Sequence, residues 1–242
     1  MDEDRFDLPE LLAWAQCPRD VLSWARGEAS LSVSLEDVED VMALLERAPS
    51  PEAAVWLAAV LTLPLDLIAS AVIVAVETDA AAIDDALGAQ ACALAMDSIA
   101  GTENGEGLLA MAERCDARLS EDTAGYRERD PRQKAVATAA AAVCRAAEAL
   151  GAARARIAFE LEAAAAARVS ILGAGSILGP SAKAIVGDRA PPFALARPAM
   201  GDKPVAHDLR AGVGLLADAL TYLSDRDGVR VRDLFLDSLA DD

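Results

Sequence analysis

The sequence contains very little histidine, and this shortage limits the chemistry that the chain can perform. Its single histidine, His207, excludes a metal site with two or more histidine ligands within one subunit. A catalytic triad built on His207 stays formally open, but no nucleophile motif accompanies it, so we expect a histidine at the start of a helix. The sequence therefore predicts no catalytic residue, no cofactor-binding residue and no metal ligand. It leaves enzymatic activity undecided, leaning towards none.

The sequence also lacks closely spaced cysteines and a signal-like N-terminus. Its four cysteines form no C-x-x-C spacing, so we expect buried, reduced thiols instead of disulfides or metal ligands. They are Cys17, Cys92, Cys115 and Cys144. The first ten residues, MDEDRFDLPE, are acidic and contain no basic segment followed by an apolar one. This pattern predicts a cytoplasmic protein.

Aromatic residues are scarce and alanine is abundant, a balance that favours helix. Alanine makes up about a quarter of the 242 residues and aromatic side chains 4%, which suits helices far better than strands. We predict an all-α fold, a bundle of short helices plus one long alanine-rich helix, with a HEAT-like α-solenoid as the alternative. We expect one domain over residues 1–242, with two subdomains, 1–125 and 126–242, joined near 120–130, as the alternative.

A long apolar segment, residues 53–76, is interrupted by Pro64 and Asp66. As one helix it would measure about 36 Å and could cross the ~30 Å core of a bilayer. Asp66 would be costly at the bilayer centre, whereas Pro64 can begin a new helix with Asp66 in its first turn. We therefore predict two buried helices, about 51–63 and 64–77, and keep a membrane-associated protein as an alternative.

The next helix is predicted to begin at Thr78 or Asp79 and to run towards Ile99. On this helix the neighbouring Asp84 and Asp85 would be solvated carboxylates. Acidic pairs also bind magnesium with diphosphates, but the further aspartate of such a motif is absent because position 88 is glycine. The pair therefore predicts no metal site.

Near the C-terminus, the sequence SDRDG at 224–228 predicts a turn. The following VRVRDLFLDSLADD predicts a final amphipathic helix, although VRVR alone also suits a short strand. Three tryptophans lie in apolar helical patterns, and we expect them to be anchors of the core. They are Trp14, Trp24 and Trp56.

The most informative periodicity follows Asp130 and Pro131, a strong helix start. Apolar residues recur there at seven-residue intervals, and alanine lies three residues after each of the first three. They are Val136, Val143, Leu150 and Ile157, with Ala139, Ala146 and Ala153. Small side chains in such a seam let a partner helix approach closely. That partner can belong to the same chain or to a second copy, so a homo-oligomer through the 136–157 face stays open.

The stretch RVSILGAGSILGPSAK, residues 168–183, has the G-x-G pair of dinucleotide-binding turns. The third glycine of that fingerprint is replaced by Leu178, and no series of strand and helix repeats fits around it. We expect Gly173 and Gly175 to end the long helix instead. The proline-rich segment 187–206 that follows predicts a loop or linker.

Acidic residues outnumber basic ones by 40 to 22, which gives a formal net charge of −18. This sign argues against binding nucleic acid or anionic lipid and favours a basic protein partner, although charge that only keeps an alanine-rich surface soluble is the plainer explanation. We predict an acidic, all-helical protein–protein interaction module, an inhibitor, adaptor or immunity-type protein. The alternatives are a small-ligand-binding protein or enzyme with a pocket between helices and, third, a membrane-associated helical protein through residues 53–76.

Overall fold

The computed structural model describes most of the chain as helix. The described residues are 5–27, 32–34, 38–61, 63–101, 107–121, 130–172, 203–223 and 225–240. Within them the helices are α1 (Leu8–Trp14), α2 (Arg19–Gly27), α3 (Val38–Glu46), α4 (Pro51–Val60), α5 (Leu65–Ala82), α6 (Ala86–Ile99), α7 (Leu108–Glu121), α8 (Pro131–Leu172), α9 (Lys203–Thr221) and α10 (Asp225–Ala240). The predicted all-α class is confirmed.

One small ribbon accompanies the helices. The strands β1 (Arg5–Asp7) and β2 (Ser32–Ser34) are antiparallel, with Phe6 opposite Val33. Three residues per strand add little to the core, and the ribbon lies beside the N-terminal helices α1 and α3. The ribbon does not change the helical class of the fold.

The helices form a bundle around the first part of α8, which packs against α5, α6, α7 and α9. From Val136 to Ala147 each residue of α8 is buried or partly buried, so this part of the helix is enclosed on all sides. A helix that is apolar all round belongs in the interior of a bundle. A second layer follows, in which α4, itself an enclosed helix, packs on α9, and α10 packs on α3, α4 and α5. The solenoid alternative is not needed to describe this packing.

The heptad seam of α8 is occupied within the chain. Its described residues, from Val136 to Ala153, are fully buried, and α9 packs along α8 with Gly212 facing Leu150. The side chain of Ile157, the last member of the seam, lies outside the described residues. Self-association through the 136–157 face stays a prediction for that end of the helix, because the described seam residues are already buried within the chain.

The apolar segment 53–76 forms two helices, as predicted. Ser50 caps α4 by accepting a hydrogen bond from the Ala53 amide at 3.2 Å, and α4 is buried from Ala53 to Val60. Pro64 is the N-cap of α5. The chain therefore divides where proline removes a backbone donor.

The predicted boundary at Thr78 is wrong, because α5 continues to Ala82. The Thr78 hydroxyl donates to the Val74 carbonyl at 2.7 Å, so this side chain is satisfied inside the helix and does not begin a new one. The break comes at Asp84, whose φ of 53° is left-handed, and α6 begins two residues later. An aspartate tolerates this backbone conformation better than most residues do.

Two further boundaries can be compared with the sequence predictions. The turn predicted at 224–228 is wrong, because α10 begins at Asp225 and includes VRVR. Negative charge in a first helical turn is stabilising, which explains why an Asp-rich segment continues as helix. The second boundary is the end of α8, which remains helical to Leu172, directly before the glycines that are predicted to end it. Gly173, Gly175 and the segment 187–202 lie outside the described residues.

Candidate functional site

Among the described residues, two charged side chains are buried, and both are aspartates near the C-terminal end of α5. Asp79 is 6% exposed and Asp85 is 4% exposed. A buried carboxylate is costly unless it is hydrogen-bonded and paired. Their surroundings therefore decide whether they form a reactive site or a structural one.

Asp85 is the N-cap of α6 and is held from three directions. One carboxylate oxygen, Oδ1, accepts hydrogen bonds from the amides of Leu87 at 3.2 Å and Gly88 at 3.3 Å. The same oxygen accepts from the guanidinium of Arg118 on α7. This single side chain therefore joins the start of α6 to the end of α7.

The second oxygen of Asp85, Oδ2, is buried and has no hydrogen-bond partner. It lies beside Gly88, where an added Cβ would be 3.3 Å from Oδ2 and 3.2 Å from the Ala80 Cβ. Glycine at position 88 therefore keeps this oxygen from being crowded, and the gap beside it would hold little more than a methyl group. The site fits a carboxylate that fastens helices together better than one that receives a ligand.

The prediction of two solvated carboxylates on a helix face is wrong for this acidic pair. Asp84 is exposed, but it lies in the turn between α5 and α6, whereas its neighbour Asp85 is buried. The left-handed residue turns the chain, so the two side chains leave it in different directions. The pair marks a helix boundary.

Three more aspartates pair with arginines of α8. Arg132 contacts Asp79 of α5 at 2.8 Å, and Arg154 pairs with Asp66, which also belongs to α5. Arg145 pairs with Asp116 of α7. Arg154 also donates to the Ile99 carbonyl at 2.8 Å, at the C-terminal end of α6. These pairs fasten the helices around α8 to it.

The sequence argument missed this set of charged residues. Asp66 had been placed at the start of α5, but its partner Arg154 lies 88 positions later. Charged side chains inside otherwise apolar, alanine-rich helices are a signal that could have identified candidates for burial. The pattern alone could not have assigned partners, because each pair joins residues distant in the sequence.

All four cysteines are free thiols and buried, as the sequence predicted. Burial raises the pKa of Cys17 to about 11 and that of Cys144 to about 12. Burial likewise raises the pKa of Cys92 and Cys115, with neighbouring thiols or carboxylates adding to the effect. The reactive form of cysteine is the thiolate, so these side chains are protonated and inert near neutral pH. Within the described ranges, no group of three or more His, Cys, Asp or Glu side chains is arranged to hold a metal ion.

The remaining sequence-based candidates occupy ordinary places in the fold. Trp56 is buried in α4, and Trp24 packs partly buried against the core. The side chain of Trp14 lies outside the described residues. His207 is the fifth residue of α9, which begins at Lys203, so the loop predicted for 187–206 is wrong in its last four residues. The side chain of His207 lies outside the described residues.

One helical segment of the described chain, Pro131–Ala155, is long and apolar enough to cross a bilayer. This segment is the enclosed part of α8, and 61% of its most apolar window is buried inside the fold. The core helix of a bundle passes the same test of length and composition, so the segment is weak evidence for a membrane span. The segment that the sequence had suggested, 53–76, is divided between α4 and α5.

Comparisons with known proteins add no assignment to this geometry. No family model, no curated protein and no solved structure matches the chain.

Proposed function

We propose that the protein is an acidic, all-helical interaction module that binds a basic protein partner, as an inhibitor, adaptor or immunity-type protein does. The observation that carries the proposal is the charge that the fold leaves on its surface. Four arginines and four aspartates are used in the pairs between helices. Each pair joins one acidic residue to one basic residue, so these pairs leave the chain's formal net charge of −18 unchanged.

The exposed side chains of the described residues have the same imbalance. Twelve acidic residues are exposed there, against seven basic ones. They are spread over several helices, with Glu46 on α3, Glu113 on α7 and Asp237 on α10 as examples. A surface with an excess of negative charge attracts basic partners, accelerates their encounter and disfavours acidic competitors.

The fold also supplies a rigid support for such a surface. The bundle core is continuous from α1 to α10, and helices from both halves of the chain contribute to it. Side chains on packed helices are held in fixed positions, which lowers the entropy that binding must overcome. A charged surface on a rigid helical body supports recognition of a protein.

The proposal is tested by affinity capture from native lysate with the full chain as bait, at about 0.1 M and about 1 M salt. The screening length falls from about 10 Å to about 3 Å over this range. We expect a basic protein to be retained at low salt and released at high salt. A bait carrying Asp20→Asn, Glu46→Gln, Glu113→Gln and Asp237→Asn should retain less of it, whereas a tag-only bait controls for non-specific capture.

Two results would contradict the proposal. The first is the recovery of no macromolecular partner at either salt concentration. The second is a complex that is equally stable at both concentrations and with both baits, since binding would then not depend on charge. Native mass spectrometry of the untagged protein gives the copy number of each component.

A further inference from the structure

The described surface has three large apolar side chains that are exposed, and two of them flank one connection. Tyr222 is 45% exposed and Val229 is 44% exposed, on either side of the junction between α9 and α10. Leu109, 52% exposed, lies apart from them on α7. Single exposed apolar residues are common and need no explanation, but two at one junction call for one.

The end of α9 determines the outward position of Tyr222. The Tyr222 amide donates to the Ala219 carbonyl at 3.3 Å, and the Leu223 amide donates to the Leu220 carbonyl at 3.1 Å. This tight turn keeps Leu220 buried and packs Leu223 against the core. Tyr222, between them, is left on the outside.

The periodicity of α10 does the same for Val229. Val231 and Phe235 are buried, four residues apart on the inner face. Val229 precedes Val231 by two residues, which is about 200° around the helix, so it lies on the opposite face. The exposure of Val229 therefore follows from the anchoring of α10 in the core and not from a loose helix end.

Each of these apolar residues has an exposed aspartate one helical turn away. Asp218 precedes Tyr222 by four residues, and Asp233 follows Val229 by four residues. Arg230 is exposed beside Val229, which makes the surroundings mixed but still acidic in balance. We call Asp218, Tyr222, Val229 and Asp233 the elbow patch.

The elbow patch is small enough for one protein partner to cover it. Chain length limits the separation of the Tyr222 and Val229 Cα atoms to at most about 17 Å. A standard protein interface covers about 800 Å² per partner, wide enough to include both. Interfaces typically have an apolar centre and a polar rim, with tyrosine among the residues that contribute most.

From this geometry we infer that the elbow patch is the docking surface for the basic protein partner. The partner places an apolar side chain against Tyr222 and Val229 and cationic side chains near Asp218 and Asp233. The inference rests on the proposed function, and it adds the location and the chemistry of the contact.

The charge of the elbow patch favours a basic protein over two other occupants, a second copy of the chain and an anionic membrane. A second copy of the chain that docked through the same patch would bring four aspartates together with two copies of Arg230, and this excess of like charge is unfavourable. An anionic membrane surface would meet the same carboxylates and be repelled. A basic protein with an apolar anchor satisfies both components of the patch.

The location is tested by placing a photoreactive benzophenone amino acid at position 222, at position 229 or, as the matched control, at position 109. Each bait is irradiated in native lysate at about 0.1 M salt. We expect positions 222 and 229 to form an adduct with the same basic protein that affinity capture retains. Position 109 is equally exposed and should form none.

The energetic part is tested with the captured partner after purification. Truncating a central interface residue weakens binding, so Tyr222→Ala and Val229→Ala together should raise the Kd about 10- to 30-fold, whereas Leu109→Ala should leave it unchanged. Asp218→Asn with Asp233→Asn should raise the Kd several-fold at low salt only. The pair Glu77→Gln with Glu113→Gln removes the same charge elsewhere and should have a smaller effect.

The outcomes separate this inference from the proposed function. If a basic partner is captured but the elbow variants bind it as tightly as the wild type, the elbow patch is not the docking surface and the proposed function stands. Adducts only at position 109 lead to the same conclusion. If no partner is captured, both fall. Co-sedimentation of the wild type with phosphatidylglycerol vesicles, lost in Tyr222→Ala with Val229→Ala, would assign the patch to lipid and overturn the inference.

Discussion

The two sides of α8 are fastened to their neighbours in different ways. Towards α9 the contact is apolar and very close, since a Cβ added to Gly212 would lie 2.6 Å from the Leu150 Cδ2 and 3.5 Å from the Ala146 carbonyl oxygen. Towards α5 and α7 the contacts at the margins are pairs of arginine and aspartate. One side is fixed by shape and the other by charge.

The difference shows what an alanine-rich helix needs from its partners. Methyl groups pack closely but are so alike that a shift along the helix axis changes little in the contact. Register must therefore come from a few specific contacts, either a large side chain opposite a glycine or a charge opposite its counterion. The two sides of α8 use one solution each.

The largest expected effect comes from removing a buried charge among the neighbours of α8, at the contact between α6 and α7. Asp85→Ala removes the cap of α6 and leaves Arg118, whose side chain is 30% exposed, without this partner. Because a lost cap and a broken ion pair add, we expect the free energy of unfolding to fall by about 3 kcal/mol. Thermal and denaturant unfolding measure this change.

Asp84→Asn is the matched control for Asp85→Ala. It removes the same charge from the adjacent, exposed residue and keeps a side chain that tolerates the left-handed backbone. We expect a change of less than about 0.5 kcal/mol. Equal effects of the two substitutions would show that Asp85 acts only through net charge.

On the apolar side, Gly212→Ala should destabilise the fold although alanine is the better helix former. The new methyl group would overlap Leu150, and overpacking costs about 1–3 kcal/mol against a propensity gain of up to about 1 kcal/mol. We expect a net loss of about 1–2 kcal/mol, measured by denaturant unfolding. In a Leu150→Ala background the same substitution should cost nothing, which a double-mutant cycle tests.

Gly151→Ala supplies the control of opposite sign. This glycine is in the interior of α8, and an added Cβ would meet nothing within 4 Å. With no clash, the propensity gain remains, and we expect stabilisation of about 0.5–1 kcal/mol. Destabilisation by Gly151→Ala, or stabilisation by Gly212→Ala, would contradict the conclusion that close packing holds α8 against α9.

The smallest of the three destabilising effects concerns the thiol of Cys144 in the interior, and it depends on pH. Burial raises the pKa of this thiol from its ordinary value of 9.0 to about 12, so the unfolded chain ionises first as pH rises. Its contribution is therefore complete well below pH 9 and is lost as pH rises towards 12, by about 1 kcal/mol between pH 9 and pH 10. Between pH 9 and pH 10 the free energy of unfolding of the wild type should therefore fall by this amount more than that of Cys144→Ala. Equal losses would show that the thiol ionises as freely in the fold as outside it.

The sequence was sufficient for the class of fold and for several helix boundaries. The alanine content predicted helices, Ser50 and Pro64 marked the starts of α4 and α5, and the heptad residues of α8 are buried in its interior as far as Ala153. These predictions succeed because they rest on local chemistry: a cap, a missing amide or a repeat within one helix.

The failures came where distant contacts decide. Thr78 is a helix-start residue by type, yet inside α5 it bonds to its own backbone. Asp85 was predicted to be solvated because Arg118, 33 positions later, is invisible to a local pattern. The elbow patch was equally hidden, since Val229 follows a segment predicted to be a turn and is exposed only because Val231 and Phe235 are anchored.

The enclosure of α8 has a consequence for the synthesis of the protein. Because α9 follows α8 in the chain, the face of α8 that packs on Gly212, around Leu150, lacks this contact until α9 has been made, up to residue 221. At about 5–20 residues per second, translation of residues 156–221 takes roughly 3–13 s. For that time one face of an apolar helix of transmembrane length lacks its α9 cover, and chaperones that bind exposed apolar segments can reach it.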